Sequence, residues 1–219
     1  MSRWWIPAAS ALLEPGRASV AGKTRTERSP GWSGALAALD ALLQDLPRRA
    51  LRLVLSNHFA RFLVVPWDRA LAGLGERTEF LRHHFAEIYG AQAAQWSFAV
   101  DGRSEGDTRL ALAVDTALID EARALAMRRR ASLVAVEPLM TAEFNRLRRR
   151  FREETLFFAV LEPGRVCSLL VRDGGASRVV NQRSADPAAE LELIVALERL
   201  EARLPAEVAP LHVVERVHA

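Results

Sequence analysis

Two apolar runs in the C-terminal half of the chain are separated by a two-residue turn signal. Residues 156–172 read LFFAVLEPGRVCSLLVR, rich in aromatic and aliphatic side chains on both sides of Pro163 and Gly164. Proline presets φ at the first central residue of a turn, and glycine accepts the positive φ of the second. The pattern therefore predicts a β-hairpin.

The same signal occurs near the N-terminus. Residues 12–17 read LLEPGR and residues 160–165 read VLEPGR, with apolar residues on both sides of each match. Two matching hairpins predict a duplicated unit. A carboxylate beside such a turn is usually solvated, so we expect Glu14 and Glu162 to lie at the surface.

Helical and strand spacings alternate between the two hairpins. Residues 23–30 are polar and predict a surface loop, and 51–55 and 59–65 predict strands. Two helices are indicated by apolar positions three or four residues apart: Leu36, Leu39, Leu43 and Leu46, ended by Pro47; and Phe80, Leu81, His84, Phe85 and Ile88, capped by Gly90.

The next segment alternates strand and helix. Residues 110–114 and 133–136 are continuous apolar runs on either side of a helical pattern, which predicts a βαβ unit with two buried, adjacent strands. A further strand is expected at 176–182 and a last one at 211–214. Between them a helix opening at Pro187 is expected to turn its leucines inward: Leu193, Leu197, Leu200 and Leu204.

This order of elements predicts the fold. A three-stranded meander followed by helix and strand is the order of a ribonuclease H-like unit, and two such units in tandem form the actin-like architecture. We therefore predict an α/β, actin-like chain of two ribonuclease H-like lobes in tandem, at 1–140 and 141–219, the second one truncated.

Several motifs then suggest a family. They are VLSNHFARF at 54–62, Val65-Pro66-Trp67, RHHF at 82–85 leading to Tyr89-Gly90, Trp96, and Ala113-Val114-Asp115 before a helix. They resemble the actin-like assembly proteins of type IV pili and the cytoplasmic domain of the type II secretion L protein. The resemblance implies a noncatalytic scaffold whose partner is a cytoplasmic segment of an inner-membrane assembly protein, and it leaves a homodimer open.

The resemblance also directs attention to one surface for docking this partner. Its residues are Phe59, Arg61, Trp67, Phe85 and Tyr89, on the strand at 59–67 and the helix at 77–89. Pro66 suits an edge strand because it cannot donate to a sheet ladder. Trp67 and Tyr89 are aromatics of the kind that anchor interfaces, but they could equally pack in the core.

The hairpin turns depart from those of the actin-like ATPases. Such enzymes place an acidic residue and a glycine there, so that backbone N–H groups hold phosphates and the carboxylate organises magnesium. Here Glu14-Pro15-Gly16 and Glu162-Pro163-Gly164 replace them, and proline removes a donor. We therefore expect a pseudo-ATPase without a cofactor. An ATPase that retains nucleotide binding is the alternative.

A second alternative is a metal-dependent nuclease of ribonuclease H-like fold. Asp115 and Glu137 follow the two predicted buried strands, where carboxylates can hold metal ions. A two-metal site needs three or four such groups, so we expect Asp115 to cap a helix and Glu137 to lie in a turn. His83 and Glu87 stand four residues apart, but no third zinc ligand is recognisable. No metal site is predicted.

Composition and hydropathy further limit the class of protein and its location. Half of the 219 residues are hydrophobic, the net charge is +3, and Lys23 is the only lysine. No apolar run approaches the length of a membrane span, and no secretion signal is recognisable, so we expect a cytoplasmic protein. The resemblance to pilus and secretion proteins implies a place at the inner face of the inner membrane. Cys167 lies in an apolar strand and is expected to be buried.

Arginine is concentrated in one region. Eight arginines fall within 25 residues, in two groups at 128–130 and 146–152. They could form a solvated or salt-bridged surface, a docking site for a partner or an anionic membrane, or a nucleic-acid site. No aromatic residues lie between them to stack bases, so we expect no nucleic-acid binding.

Overall fold

The computed structural model describes residues 8–44, 50–67, 73–101 and 108–216. Its strands are β1 (Ala9–Glu14), β2 (Arg17–Val20), β3 (Lys23–Thr26), β4 (Ala50–Leu55), β5 (Ala60–Pro66), β6 (Trp96–Val100), β7 (Thr108–Asp115), β8 (Ser132–Pro138), β9 (Leu156–Glu162), β10 (Arg165–Arg172), β11 (Gly175–Arg183) and β12 (Leu211–Glu215). Its α-helices are α1 (Gly31–Gln44), α2 (Leu74–Tyr89), α3 (Thr116–Arg128), α4 (Leu139–Leu147) and α5 (Pro187–Ala202), and 3-10 turns occupy Asn57–Phe59, Gly90–Gln95 and Arg148–Arg150.

The described residues fall into two compact units. One lies within Met1–Ala60 and Asp115–Ala142, and the other within Arg61–Val114 and Glu143–Ala219. The sequence predicts two lobes, at 1–140 and 141–219, and this division into lobes stays a prediction. In the structure the segment Arg61–Val114 groups with the C-terminal residues.

The first unit is built on a five-stranded sheet of order β3-β2-β1-β4-β8. The meander β1-β2-β3 is antiparallel, while β4 runs parallel to β1 and β8 runs parallel to β4. Buried leucines of β1 and β4 (Leu13, Leu51, Leu53 and Leu55) form its core, and α1 packs on β1 and β2. The predicted loop at 23–30 is therefore partly wrong, because Lys23–Thr26 form the third strand of the meander.

Helix α1 is joined to α3 by an ion pair. Both Arg129 nitrogens donate to the Asp40 carboxylate at 2.7 Å. Hydrogen bonding from Arg129 lowers the pKa of Asp40, because it stabilises the ionised form. The pair links α1 to the end of α3, and the two helices contact each other.

The predicted βαβ unit of two adjacent buried strands is wrong. Strand β7 belongs to a three-stranded sheet of order β5-β7-β6, whereas β8 pairs with β4. Strand β8 is the last strand of its sheet, and Val134 is 54% exposed. The apolar run at 133–136 reflects one covered face, not two.

The second unit contains a four-stranded sheet of order β11-β10-β9-β12, with β12 parallel to β9 and the other pairs antiparallel. Strand β9 is buried at every residue. On one face Phe157 and Leu170 pack against α5. On the opposite face Phe158 packs on Phe144 and Phe151, with ring centroids 5.4 and 5.9 Å away.

Two predicted helix faces are wrong in part. Helix α5 buries Leu191, Ile194, Val195 and Glu198, whereas the leucines expected inside are outside: Leu193, Leu197 and Leu200. Arg178 of β11 forms ion pairs with Glu198 and Glu201, so a carboxylate is accepted on the buried face. On α2, Leu81 and Phe85 are buried as expected, but Ile88 is exposed.

Some predictions lie outside the described residues. They concern the end of the first helical pattern, at Leu46 and Pro47. Within the parts that the structure describes, no helix has the length and apolar character needed to cross a bilayer.

Gly34 permits a close approach between α1 and the loop before it. A Cβ built on Gly34 would lie 1.9 Å from the Ser29 carbonyl oxygen, whereas a Cβ on Gly75 of α2 meets nothing within 4 Å. We therefore expect Gly34→Ala to lower the free energy of unfolding by about 1–3 kcal/mol through overpacking. Gly75→Ala should raise it by up to about 1 kcal/mol, because alanine favours the helix. Denaturant titration measures both, and a stabilising Gly34→Ala would contradict the packing described.

Candidate functional site

The first Glu-Pro-Gly-Arg turn is closed by bonds within its own unit. Gly16 has φ of +68°, as the predicted turn requires, and Glu14 pairs with Arg17 across the hairpin. The Gly16 amide donates to the Gly31 carbonyl at 2.9 Å, and the Gly16 carbonyl accepts from the Glu27 amide at 2.7 Å. Pro15 has no N–H, so neither central residue of the turn has an amide left for a phosphate.

The second turn has the same form. Gly164 has φ of +74°, Glu162 pairs with Arg165, and the Gly164 carbonyl accepts from the Ser184 amide at 3.1 Å. Arg165 is buried and donates to Asn181 at 2.9 Å. The arginine that follows each turn is thus held within its own three-stranded meander.

The two turn carboxylates are not solvated surface groups, so that expectation is wrong. Glu14 and Glu162 are both buried. Glu14 lies 3.7 Å from the Arg17 guanidinium, and the charge of Glu162 acts on Arg165. A buried carboxylate requires a partner of opposite charge or a set of donors, and the arginine of each hairpin supplies it.

A cluster of positive charge surrounds Arg165, which sequence reasoning missed. The β10–β11 register places Arg165 opposite Arg183, and Arg61 lies near enough to act on it. Burial lowers the pKa of Arg165, and the charges of Arg61 and Arg183 lower it further. The sequence does show an arginine after each Pro-Gly turn. It does not show which other arginines lie beside it, because that depends on strand register.

The proposed docking residues lie on and around β5. Phe59 ends the 3-10 turn before β5, and Arg61 follows on the strand with its guanidinium 5.6 Å from the Trp96 ring centroid. Strand β5 is at the end of its described sheet, as Pro66 suggested. This part of the second unit therefore offers a strand edge next to an arginine.

The aromatic docking residues divide into core and half-buried groups. Phe85 is fully buried, so its assignment to a contact surface is corrected: it belongs to the core beneath α2. Trp67 and Tyr89 are half-buried around that core. Trp67 meets Phe80 edge-on at 5.9 Å, and Tyr89 meets Trp96 at 5.3 Å.

The metal-site alternative loses its geometric basis. Asp115 precedes α3 at the end of β7, while Glu137 lies on β8 and accepts from Arg52 at 2.9 Å. The two strands are in different sheets. Among the residues that the structure describes, no group of three or more metal-ligating side chains occurs.

The remaining candidate groups are structural. His83 lies 3.3 Å from Glu87 on the exposed side of α2. Cys167 is fully buried, and burial raises the pKa of its thiol well above the usual value. Neither group is placed for metal binding or nucleophilic chemistry.

The arginine-rich segment is partly paired. Arg129 binds Asp40, and Arg146 forms an ion pair with the buried Glu143, which also binds Arg216. Arg148, Arg149 and Arg150 form an exposed 3-10 turn. The predicted salt-bridged surface therefore describes part of this segment.

Known structures share the fold. The chain is similar to the cytoplasmic domain of EpsL, an inner-membrane component of the type II secretion system of Vibrio cholerae, at 12% identity and a TM-score of 0.59, covering 96% of this chain and 83% of that one. It is similar to a Bacteroides thetaiotaomicron protein of actin-like ATPase fold and unknown function, at 9% identity and a TM-score of 0.62, covering 96% and 82%.

A third similar structure is a PilM–PilN type IV pilus biogenesis complex, at 16% identity and a TM-score of 0.60, covering 95% of this chain and 81% of that one. No protein-family model and no curated protein sequence matches the chain. The predicted resemblance to actin-like pilus and type II secretion proteins is confirmed, and the chain is a mixed α/β protein with structural neighbours of actin-like fold.

The different burial of Phe85 and Trp67 predicts different effects of truncation. Phe85→Ala should lower the free energy of unfolding by about 3–5 kcal/mol, because it leaves a cavity in a closed core. Trp67→Ala should have a smaller effect despite the larger ring, because the site is open to solvent. Denaturant unfolding of both variants measures this, and equal or greater destabilisation by Trp67→Ala would place Trp67 in the core and exclude it from docking.

Proposed function

We propose that this chain is a noncatalytic, actin-like scaffold that works at the cytoplasmic face of the inner membrane, as part of a pilus or type II secretion-like machine. It holds a cytoplasmic segment of an inner-membrane partner. The observation that carries this proposal is the closure of the first hairpin turn, where the Gly16 amide is already bonded to Gly31.

The repeated strand order supports the tandem architecture within this proposal. The meander β1-β2-β3 is followed by a helix and a strand parallel to β1. The meander β9-β10-β11 is likewise followed by a helix and a strand parallel to β9. The two units thus repeat one ribonuclease H-like order. The second lacks a described equivalent of β8, in keeping with a truncated lobe.

Phosphate binding is disfavoured by how the turns are built. In actin-like enzymes, turn amides must point at the nucleotide phosphates. Here proline removes one amide from each turn, the Gly16 amide is bonded to the Gly31 carbonyl, and Arg17 pairs with Glu14. In the second turn the charge of Glu162 acts on Arg165. These features favour a scaffold over an ATPase.

The edge position of β5 and the arginines near it support the docking role. An extended peptide can add to an open strand edge through main-chain hydrogen bonds, with side chains giving specificity. Strand β5 ends at Pro66, immediately before Trp67, and the charges of Arg61 and Arg183 both act on Arg165. This arrangement suits a peptide with an aromatic or aliphatic anchor and an acidic residue.

The pseudo-ATPase proposal predicts no response to nucleotide. A ligand present at 100 times its dissociation constant stabilises a protein by about 2.7 kcal/mol, a rise of roughly 5–11 °C in melting temperature for a chain of this size. With millimolar ATP and magnesium we expect no shift. Magnesium with inorganic triphosphate is the control for anion binding at exposed arginines. A rise with ATP that triphosphate does not reproduce would contradict the proposal and favour a retained ATPase.

The docking proposal predicts capture of a defined peptide. The probes are synthetic peptides of the cytoplasmic segments of the single-pass inner-membrane proteins of the host's pilus and secretion machines, tested by calorimetry. We expect one to bind, and Trp67→Ala and Arg61→Ala each to weaken it about tenfold or more, a change of about 1.4 kcal/mol.

Met127→Ala is the matched control, because Met127 is a large exposed apolar residue of the other unit. It should leave peptide binding unchanged. Failure of every peptide to bind, or binding that is insensitive to both β5 variants, would refute this docking site.

A further inference from the structure

Helix α5 has two apolar faces, and only one of them is used by the sheet. Leu191, Ile194 and Val195 pack on β9 and β10. Leu193, Leu197 and Leu200 are 61%, 59% and 76% exposed. Successive helical residues are 100° apart, so these three leucines form a single stripe about 150° away from the buried face.

The stripe is distinctive among the exposed apolar residues. Ala189 and Ala196 are exposed on the same side of the helix, each one turn before a leucine of the stripe, Leu193 and Leu200. Three leucines at spacings of four and three residues, with Ala196 between them and Ala189 one turn before the first, form a seam of the kind that packs against another helix. Monomeric proteins rarely leave such a seam in water.

The first unit covers the corresponding helix. Its α1 precedes the strand parallel to the first meander strand, as α5 does, and α1 packs against α3. The Asp40–Arg129 pair links these two helices. In the part of the second unit that the structure describes, the main contacts of α5 are with β9 and β10.

The charged residues beside this stripe indicate which molecule packs against it. Glu192 lies on one edge of the stripe near the start of the helix, and Arg203 follows the last helical residue, eleven residues or roughly 16 Å further along the axis. Both are exposed, and Arg203 caps the helix in the left-handed region. On the other edge, Glu201 is paired with Arg178 and Glu190 with Gln182. The exposed face therefore has an acid near its start and a base at its end.

We propose that this face of α5 is the interface with a second copy of the chain, packed antiparallel about a twofold axis near Ala196 and Leu197. In that arrangement Glu192 faces Arg203 of the copy, and Arg203 faces its Glu192. Leu193 packs beside Leu200 of the copy, and Ala196 at the centre lets the helices approach closely. Such a self-complementary patch is what a twofold interface requires.

The same charges disfavour other occupants. The glutamates beside the stripe would repel an anionic membrane surface, and a parallel copy would place like charges together at both ends of the exposed face. The proposal is independent of the peptide site on β5, because none of its residues lies on that strand.

The first test is the oligomeric state of the full chain by sedimentation equilibrium. We expect a dimer, with Leu197→Glu raising the dimer dissociation constant at least tenfold and leaving the circular dichroism spectrum and melting temperature of the monomer unchanged, since the side chain is exposed. Met127→Glu is the control and should leave the dimer intact. The proposal is overturned if the wild-type chain is still monomeric at a protein concentration of roughly 0.1 mM, about 100 times that of a normal assay.

Charge reversal tests the antiparallel geometry. Glu192→Arg and Arg203→Glu should each weaken the dimer, because each creates two like-charge contacts across the twofold axis. The double variant restores both pairs in exchanged positions, so it should recover wild-type affinity to within about threefold. A dimer that survives both single variants, or a double variant weaker than either, overturns the antiparallel interface, as does a dimer insensitive to Leu197→Glu.

Discussion

The burial of both faces of the β9–β10 hairpin is the constraint on which the second unit depends. Because this hairpin has apolar side chains on both faces, each face must be covered by another element and neither can be left exposed to water. Phe157 and Leu170 require the buried face of α5, while Phe158 requires Phe144 and Phe151. The Pro-Gly turn sets the register that divides these side chains between the two faces. Once the register is set, the positions of α4 and α5 follow from the need to cover them.

The first unit covers its meander in a similar way, and its sheet has one more strand. Its meander, helix and parallel strand repeat the order of the second unit, and β8 and α3 extend the sheet and cover α1. The second unit has the shorter sheet and the helix with an uncovered leucine face. In both units a polar group of the turn glycine is bonded to the chain beyond the hairpin: the Gly16 amide to the Gly31 carbonyl, and the Gly164 carbonyl to the Ser184 amide.

The hairpins and the edge position of β5 could be predicted because turn chemistry and proline act locally. The inner face of α5 could not, because two stripes share helical spacing and the buried one contains Glu198. Burial raises the pKa of Glu198, and Arg178 from β11 opposes that shift, a contact set by strand register. Pairing of β8 with β4 rather than β7 depends on chain segments far apart in sequence. The burial of Glu14 and Glu162 was missed because each depends on an arginine across the turn.

The central claim is that the hairpin turns are closed structural turns, so that the chain binds partners and does not bind nucleotide. The most direct measurement is the pair of backbone amide resonances of Gly16 and Gly164 in ¹⁵N-labelled protein, followed while a magnesium complex of a nonhydrolysable ATP analogue is added. The account predicts that neither resonance moves and that the Gly16 amide exchanges slowly with solvent, because it is bonded to the Gly31 carbonyl. Saturable shifts of both glycine resonances would show phosphates at the turns and contradict the account.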